Sequence, residues 1–212
     1  MKKATVLTSI LLLMAGCVVS AGTPPAAQKP QEAAPQGAAA QDKTPPSYDM
    51  KPQAVLDLQQ MQEKYLGLAQ AIPAEKYTWR PADGVRSVSE LLLHVSGANY
   101  GYPPLMAGTA PSPGFQREGF EKSTIEKAKV IEQLNKSFAY AIASVQAMAN
   151  ADFAKPEKKL GPDANDGDVI YLLVVHSHEH LGQSIAYARE IGIVPPWTAA
   201  AAAKKDAKSG QE

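Results

Sequence analysis

Residues 168–197, DVIYLLVVHSHEHLGQSIAYAREIGIVPPW, combine a helical hydrophobic pattern with three histidines. At about 100° per residue, one face of this helix runs from apolar side chains through imidazoles to polar side chains, in the order Val169, Leu173, His176, His180, Gln183 and Tyr187. Gly192 predicts a C-terminal cap, and Pro195 with Pro196 predicts the end of the helix. We therefore expect the face that carries His176 and His180 to point into the protein.

His176 and His180 are four residues apart, so on a helix their β-carbons lie about 5 to 6 Å from each other. This spacing allows both rings to bind one metal ion. The structural alternative is a pair of core histidines with satisfied hydrogen bonds, although two buried imidazoles would need two sets of partners. The pair alone leaves both interpretations open. His178 points about 160° to 200° away from them and cannot join the pair.

The N-terminus has the pattern of a bacterial export signal at residues 1–21, with two lysines before an apolar region too short to span a bilayer. Two cleavage sites compete. Val-Ser-Ala at 19–21 suits ordinary signal peptidase, whereas Met-Ala-Gly-Cys at 14–17 resembles a lipobox and would make Cys17 a lipidated first residue. Met14 departs from that pattern, in which Leu is usual. Because Cys17 is the one cysteine of the chain and precedes a tether-like segment, we favour the lipoprotein, exported to the periplasm or cell envelope.

Composition divides the remainder of the chain into three parts. Residues 22–47 are rich in Ala, Pro and Gln and predict a disordered tether, and residues 198–212 predict a disordered tail. Residues 48–197 are long enough for one domain with a single core. With no disulfide available, stability must come from that core and from any bound metal. The 21 basic and 21 acidic residues balance and form no basic stripe, so we expect no nucleic-acid partner.

Hydrophobic periodicity predicts three helices before the histidine helix. The first covers residues 52–72 and ends before Pro73, with an apolar stripe at Leu58, Met61, Tyr65, Leu68 and Ile72. The second runs from Ser87 no further than Tyr102, because two prolines follow. The third covers residues 123–148, with an apolar stripe at Ile131, Leu134, Phe138, Ala141, Val145 and Met148.

Capping-box sequences mark two of these helix starts, with Ser87 followed by Glu90 and Ser123 followed by Glu126. Glu90 lies one turn before His94 and could be read as a metal ligand, but the capping box explains it more simply. His94 lies on the apolar stripe of the second helix and is therefore expected to point inward.

Four amphipathic helices with one connection of about 20 residues predict an all-α protein, a four-helix bundle either in up-and-down order or with a long crossover connection. In such bundles, sites form where side chains of facing helices converge, which allows His94 to meet His176 and His180. Three neutral imidazoles leave a fourth tetrahedral position for water or substrate, as in catalytic zinc sites.

Several motifs resemble those of the DinB-like (YfiT-related) family of metalloenzymes. They are YTWRP at 77–81, GVRSV at 84–88 leading to His94, and H-x-x-x-H-L-G-Q at 176–183 with Gly192 and the two prolines after it. The resemblance covers residues 48–197 and implies a four-helix bundle, often dimeric, that binds a divalent metal through His94, His176 and His180. The family more often has a basic residue where Leu181 stands, a difference that should leave the metal site intact.

The resemblance also implies chemistry on a small-molecule substrate. Related enzymes are metal-dependent transferases and isomerases that use low-molecular-weight thiols, with the metal holding the thiol as a thiolate. Export makes hydrolysis by a metal-activated water a rival, because such thiols are scarce outside the cytoplasm. Zn²⁺ is the leading candidate, with nickel, iron or manganese as alternatives. A hypothesis from another class is a surface-tethered metal-binding or interaction module without turnover.

The segment His176–His180 also matches H-x-x-E-H, the signature of an inverted zinc peptidase with Glu179 as general base. That family takes its third ligand from an acidic residue far downstream on another helix. Only 32 residues follow His180, most of them in the expected tail, so the match argues weakly for a peptidase. No acid or base partner is dictated by spacing, although Gln183 and Tyr187 share the histidine face.

Overall fold

In the computed structural model, which describes residues 49–209, five α-helices carry the fold. They are α1 (Met50–Ala71), α2 (Val88–Gly101), α3 (Lys127–Ala147), α4 (Asp166–Glu190) and α5 (Pro196–Ser209). Short 3₁₀ turns lie in the connections, and no strand occurs among the described residues. The all-α prediction is confirmed. The expected export signal at 1–21, with Cys17, and the expected tether at 22–47 lie outside the described residues.

Helices α1 to α4 form a four-helix bundle in which sequence neighbours are not always spatial neighbours. Both α1 and α2 pack against α3 and α4, so α1 lies diagonally opposite α2, and α3 lies diagonally opposite α4. The chain therefore crosses the bundle twice, at residues 72–87 and 148–165. The long connection at residues 102–126 instead joins two adjacent helices. Because α2 is adjacent to α4, side chains from these two helices can meet.

The predicted apolar stripes face the centre of the bundle. All five stripe residues of α1 are at most 2% exposed, and in α3 the predicted stripe is buried except for Ile131, which is partly buried. Two tyrosine hydroxyls in this core donate to backbone carbonyls, Tyr65 to Ser177 at 2.8 Å and Tyr77 to Ala69 at 2.7 Å. The polar atoms of these rings therefore enter the core without an unsatisfied donor.

The start of α2 follows the prediction. Ser87 accepts a hydrogen bond from the Glu90 backbone N–H at 3.3 Å, and the Glu90 carboxylate accepts one from the Ser87 N–H at 2.8 Å. Arg80 also pairs with this carboxylate at 3.2 Å. The capping box is therefore confirmed, and it directs Glu90 to the helix terminus rather than to a metal site.

The predicted start of α3 is wrong by three residues, because the N-cap is Glu126 and not Ser123. Ser123 ends a 3₁₀ turn at Phe120–Lys122 in a helical backbone conformation, so it cannot adopt the extended geometry of an N-cap. The helix begins at Lys127 after Glu126, whose side chain makes no cap. The Lys127 ammonium instead donates to two carbonyls at the end of α1, which secures this end of α3 by tertiary contact.

Helix α4 begins before the quoted stretch, with Asn165 as N-cap and Asp168 completing a capping box. At its other end Gly192 has φ +80°, the left-handed conformation expected of a glycine after a helix. Pro196 then opens α5 rather than only ending α4, since proline is well suited to the first turn of a helix. The predicted disordered tail at 198–212 is thus helical as far as Ser209.

The 102–126 connection is attached to the bundle at several points. The Asp166 carboxylate, in a residue 1% exposed, accepts a hydrogen bond from the Ala107 backbone N–H at 2.9 Å. The Tyr140 hydroxyl donates to the Ala110 carbonyl at 2.6 Å. Phe115 and Phe120 lie 5.1 Å apart, ring centre to ring centre, beside α2. These contacts hold the connection over the end of α2. No helix among residues 49–209 has the length and apolarity needed to cross a membrane.

Candidate metal centre

Three imidazoles converge between α2 and α4. The Nε2 atom of His94 lies 3.1 Å from Nε2 of His180 and 3.1 Å from Nε2 of His176. One ring nitrogen from each histidine falls within 4.8 Å of the others. His176 and His180 are each 9% exposed, and His94 is partly buried. The predicted convergence of the three residues is therefore found, with one ring from α2 and two from successive turns of α4.

The other nitrogen of His94 is held by a carboxylate from the long connection. Nδ1 of His94 lies 2.6 Å from Oε1 of Glu121, and Arg86 donates to the same carboxylate at 2.7 and 3.2 Å. Burial alone would raise the pKa of the Glu121 carboxyl, but the bonds from Arg86 and His94 lower it below its usual range. Glu121 is thus ionised at neutral pH and can only accept, so Nδ1 of His94 carries a proton.

His94 is uncharged in this arrangement. Burial lowers the pKa of its imidazole below the usual value, and this effect outweighs the opposing influence of Glu121. A neutral ring with its proton on Nδ1 has a bare lone pair on Nε2. That lone pair points toward the other two histidines.

A second hydrogen-bond chain assigns the tautomer of His180. The Arg86 carbonyl can only accept, so the Tyr187 hydroxyl donates to it at 3.2 Å. Tyr187 in turn accepts from the Gln183 amide at 3.2 Å, which leaves the Gln183 oxygen facing Nδ1 of His180 at 2.9 Å. Nδ1 of His180 must then be the donor, and in the neutral ring Nε2 again has a lone pair.

The His176 imidazole is strongly disfavoured in its protonated form. Burial lowers the pKa of this ring to about 4, and the neighbouring imidazoles and the positive charges of Arg86 and Arg117 act in the same direction. Its Nδ1 is buried and has no hydrogen-bond partner among residues 49–209. The Tyr102 ring meets it edge-on at 5.5 Å between ring centres. The imidazole is therefore neutral at pH 7, as a metal ligand must be.

The residues fit a divalent metal ion. Two lone pairs, on Nε2 of His94 and of His180, face each other at 3.1 Å, an arrangement that is repulsive unless a cation lies between them. Ligand nitrogens about 2.0 to 2.1 Å from a tetrahedral zinc would be about 3.3 Å apart, close to the 3.1 Å that separates Nε2 of His94 from Nε2 of each of the other two histidines. Imidazole nitrogens suit zinc, nickel and iron. The carboxylate and amide behind the rings are the kind of outer partners that orient histidine ligands.

One cavity adjoins the histidines, and a second adjoins the side chains that hold them. A small one of about 50 Å³ is lined by His94, His176, aromatic side chains and Arg117. A larger polar one of about 550 Å³ includes Glu121 and Gln183 in its wall, with basic side chains around it. The smaller cavity thus touches two of the three rings, and the larger one touches Glu121 and Gln183, the hydrogen-bond partners of His94 and His180.

The remaining candidates from the sequence take other roles. His178 and Glu179 are exposed on the outer face of α4, so the H-x-x-E-H match places no general base beside the three histidines. Gln183 and Tyr187 do reach the site, through His180. Sequence reasoning missed Glu121 and the double role of Arg86. Arg86 lies in the quoted GVRSV motif, whereas Glu121 lies in a connection with no periodic pattern.

The fold and the geometry of the site define a class of protein, the helical bundles that carry a three-histidine site between two adjacent helices. The sequence-family model of the DinB superfamily matches residues 57–184, so the chain belongs to this superfamily. Among solved structures, it is similar to a DinB-like protein from Bacillus cereus ATCC 10987, with a TM-score of 0.54 and 13% identity over 68% of this chain and 93% of that chain. That likeness supports the fold alone. No curated protein matches the chain.

Proposed function

We propose that the protein binds one divalent metal ion through His94, His176 and His180 and uses it in a metal-dependent reaction on a small molecule. The pair of opposed lone pairs on His94 and His180 carries the proposal. Two hydrogen-bond chains that meet at Arg86 hold these tautomers, so the bare nitrogens are a built feature of the site. If His94 and His180 were core histidines with satisfied hydrogen bonds, a proton would lie between their two Nε2 atoms.

Access to the histidines favours a catalytic centre over a metal-binding module without turnover. Three protein ligands leave one tetrahedral position, and no fourth His, Cys, Asp or Glu among residues 49–209 joins the group. The small cavity touches two of the three rings, so a substrate group can approach that position. A structural site would instead be closed by a fourth ligand.

A divalent ion held here would supply Lewis acidity, which converts a thiol or a water molecule into a nucleophile at neutral pH. The side chains of the protein orient the ligand rings and keep protons off their metal-binding nitrogens. Glu121 and Gln183 hold two ligand rings, and burial keeps His94 and His176 unprotonated. We infer a transferase that uses a thiol or a hydrolase. The export signal expected from the sequence favours the hydrolase, and we propose that it acts in the periplasm or cell envelope, attached through Cys17.

Elemental analysis of protein purified without an affinity tag tests the metal site. We expect about one divalent ion per wild-type chain and little in the His176→Ala, His180→Ala double variant. His178→Ala is the matched control, because it removes an imidazole from the same helix but from its exposed face. Equal metal content in the wild type and the double variant would refute the proposal.

A further inference from the structure

Arg117 lies in the wall of the small cavity together with His94 and His176. Its guanidinium covers Gly101, the last residue of α2, so closely that a β-carbon at position 101 would collide with it. Position 101 therefore has to be glycine for Arg117 to lie where it does. The 102–126 connection, anchored through Asp166 and Tyr140, brings the guanidinium to this place.

Arg117 is an exposed residue, and no polar contact within the described chain holds its guanidinium beside Gly101. Among residues 49–209, no carboxylate forms an ion pair with Arg117, and no carbonyl accepts a hydrogen bond from its side chain. By contrast, Arg80 and Arg86 on the larger cavity each pair with a glutamate.

The charge of Arg117 is available to an anion, because the residue is exposed and its guanidinium pairs with no carboxylate of the described chain. A divalent ion on the three histidines would repel a guanidinium lining the same small cavity, and an anion between the two would be attracted by both. A guanidinium presents a planar fork of donors that matches a carboxylate in a bidentate manner. The cavity of about 50 Å³ has room for a group of this size beside the rings of Phe115 and Phe120.

We propose that Arg117 is the residue that recognises the substrate, and that the substrate carries a carboxylate held between Arg117 and the metal ion. This inference rests on the proposed metal site and adds the chemical class of the substrate. Arg117 comes from the connection rather than from the ligand-bearing helices, so it can be changed without removing a metal ligand.

The test uses the full chain loaded with Co²⁺, whose visible absorption reports on the ligands of a tetrahedral site, titrated with acetate. We expect acetate to perturb the wild-type spectrum and Arg117→Gln to weaken its affinity about 10- to 100-fold, the loss typical of a hydrogen-bonded charge. Arg117→Lys, which keeps the charge but not the fork, should fall between the two. Arg189→Gln, the same change at an exposed position in the last turn of α4, should match the wild type.

A second variant tests the placement of the guanidinium rather than its charge. Gly101→Ala should displace Arg117 and weaken acetate binding while cobalt remains bound. If cobalt binds and acetate affinity is the same in the wild type and in Arg117→Gln, the inference is wrong and the metal site stands. If phosphate shows this dependence and acetate does not bind, the carboxylate assignment is wrong. A wild type without cobalt absorption would overturn the metal site and this inference together.

Discussion

Glu121→Gln should weaken metal binding although Glu121 is not a metal ligand. The carboxylate accepts from Nδ1 of His94 at 2.6 Å and from Arg86 at 2.7 Å, and so keeps the His94 proton away from the metal side of the ring. A glutamine can satisfy Arg86 with its oxygen while turning its NH₂ group toward His94. That orientation favours the tautomer with the proton on Nε2, which cannot bind a metal.

Loss of such an outer partner typically lowers metal affinity about 10- to 100-fold, which corresponds to about 1.4 to 2.7 kcal/mol. Competition with a chromophoric chelator at pH 7 would measure the change. Glu118→Gln is the control, because it removes a carboxylate three residues away that is exposed. In addition, NMR of ¹⁵N-labelled histidine should show the His94 proton on Nδ1 in the wild type. Equal affinities for the two variants would refute the assignment of tautomers.

His94→Ala should lose most of the bound metal and also the stabilisation that the metal confers, about 2.7 kcal/mol at a hundredfold excess over Kd. His178→Ala should keep the metal and the stability. Metal analysis and thermal melts measure these two quantities. The metal-free protein should lose stability as pH falls from about 6.5 toward 4. Burial lowers the pKa of His176 to about 4 in the folded protein, so in this range the unfolded chain binds the proton and the folded protein does not. The melting temperature of His176→Gln should therefore depend less on pH in this range. Cys17→Ala should release the protein from membranes and abolish lipid labelling, and an unlabelled wild type beginning at Gly22 would establish the secreted form instead.

Helix faces, and the helix ends marked at Ser87 and Gly192, were predictable because they depend on local chemistry. The four-residue spacing of His176 and His180 places them on one face whatever surrounds them, and the Ser87 capping box needs only residues within one turn. The position of His94 followed from its apolar stripe. The same reasoning correctly separated His178 from the site, since a shift of two residues turns a side chain to the opposite face of a helix.

Features that depend on tertiary contacts were not predictable in this way. Glu121 and Arg117 reach the histidines only because the 102–126 connection folds back over α2, and no periodicity marks their positions. The start of α3 was misplaced because a 3₁₀ turn takes up Ser123 before the helix begins. The Asn165 box at the start of α4 was a missed local signal, since asparagine and aspartate can form the same reciprocal bonds as serine and glutamate.

Arg86 takes part in both hydrogen-bond chains of the site, with its guanidinium on Glu121 and its backbone carbonyl on Tyr187. One residue, immediately before the N-cap of α2, thus joins the ligand from α2 to a ligand from α4. Mutation can replace the guanidinium of Arg86 but not its backbone carbonyl. A substitution at position 86 would therefore remove a donor from Glu121 and leave the acceptor for Tyr187 in place. The support of His94 can thus be altered at Arg86 without altering the support of His180, which depends on Gln183 and Tyr187.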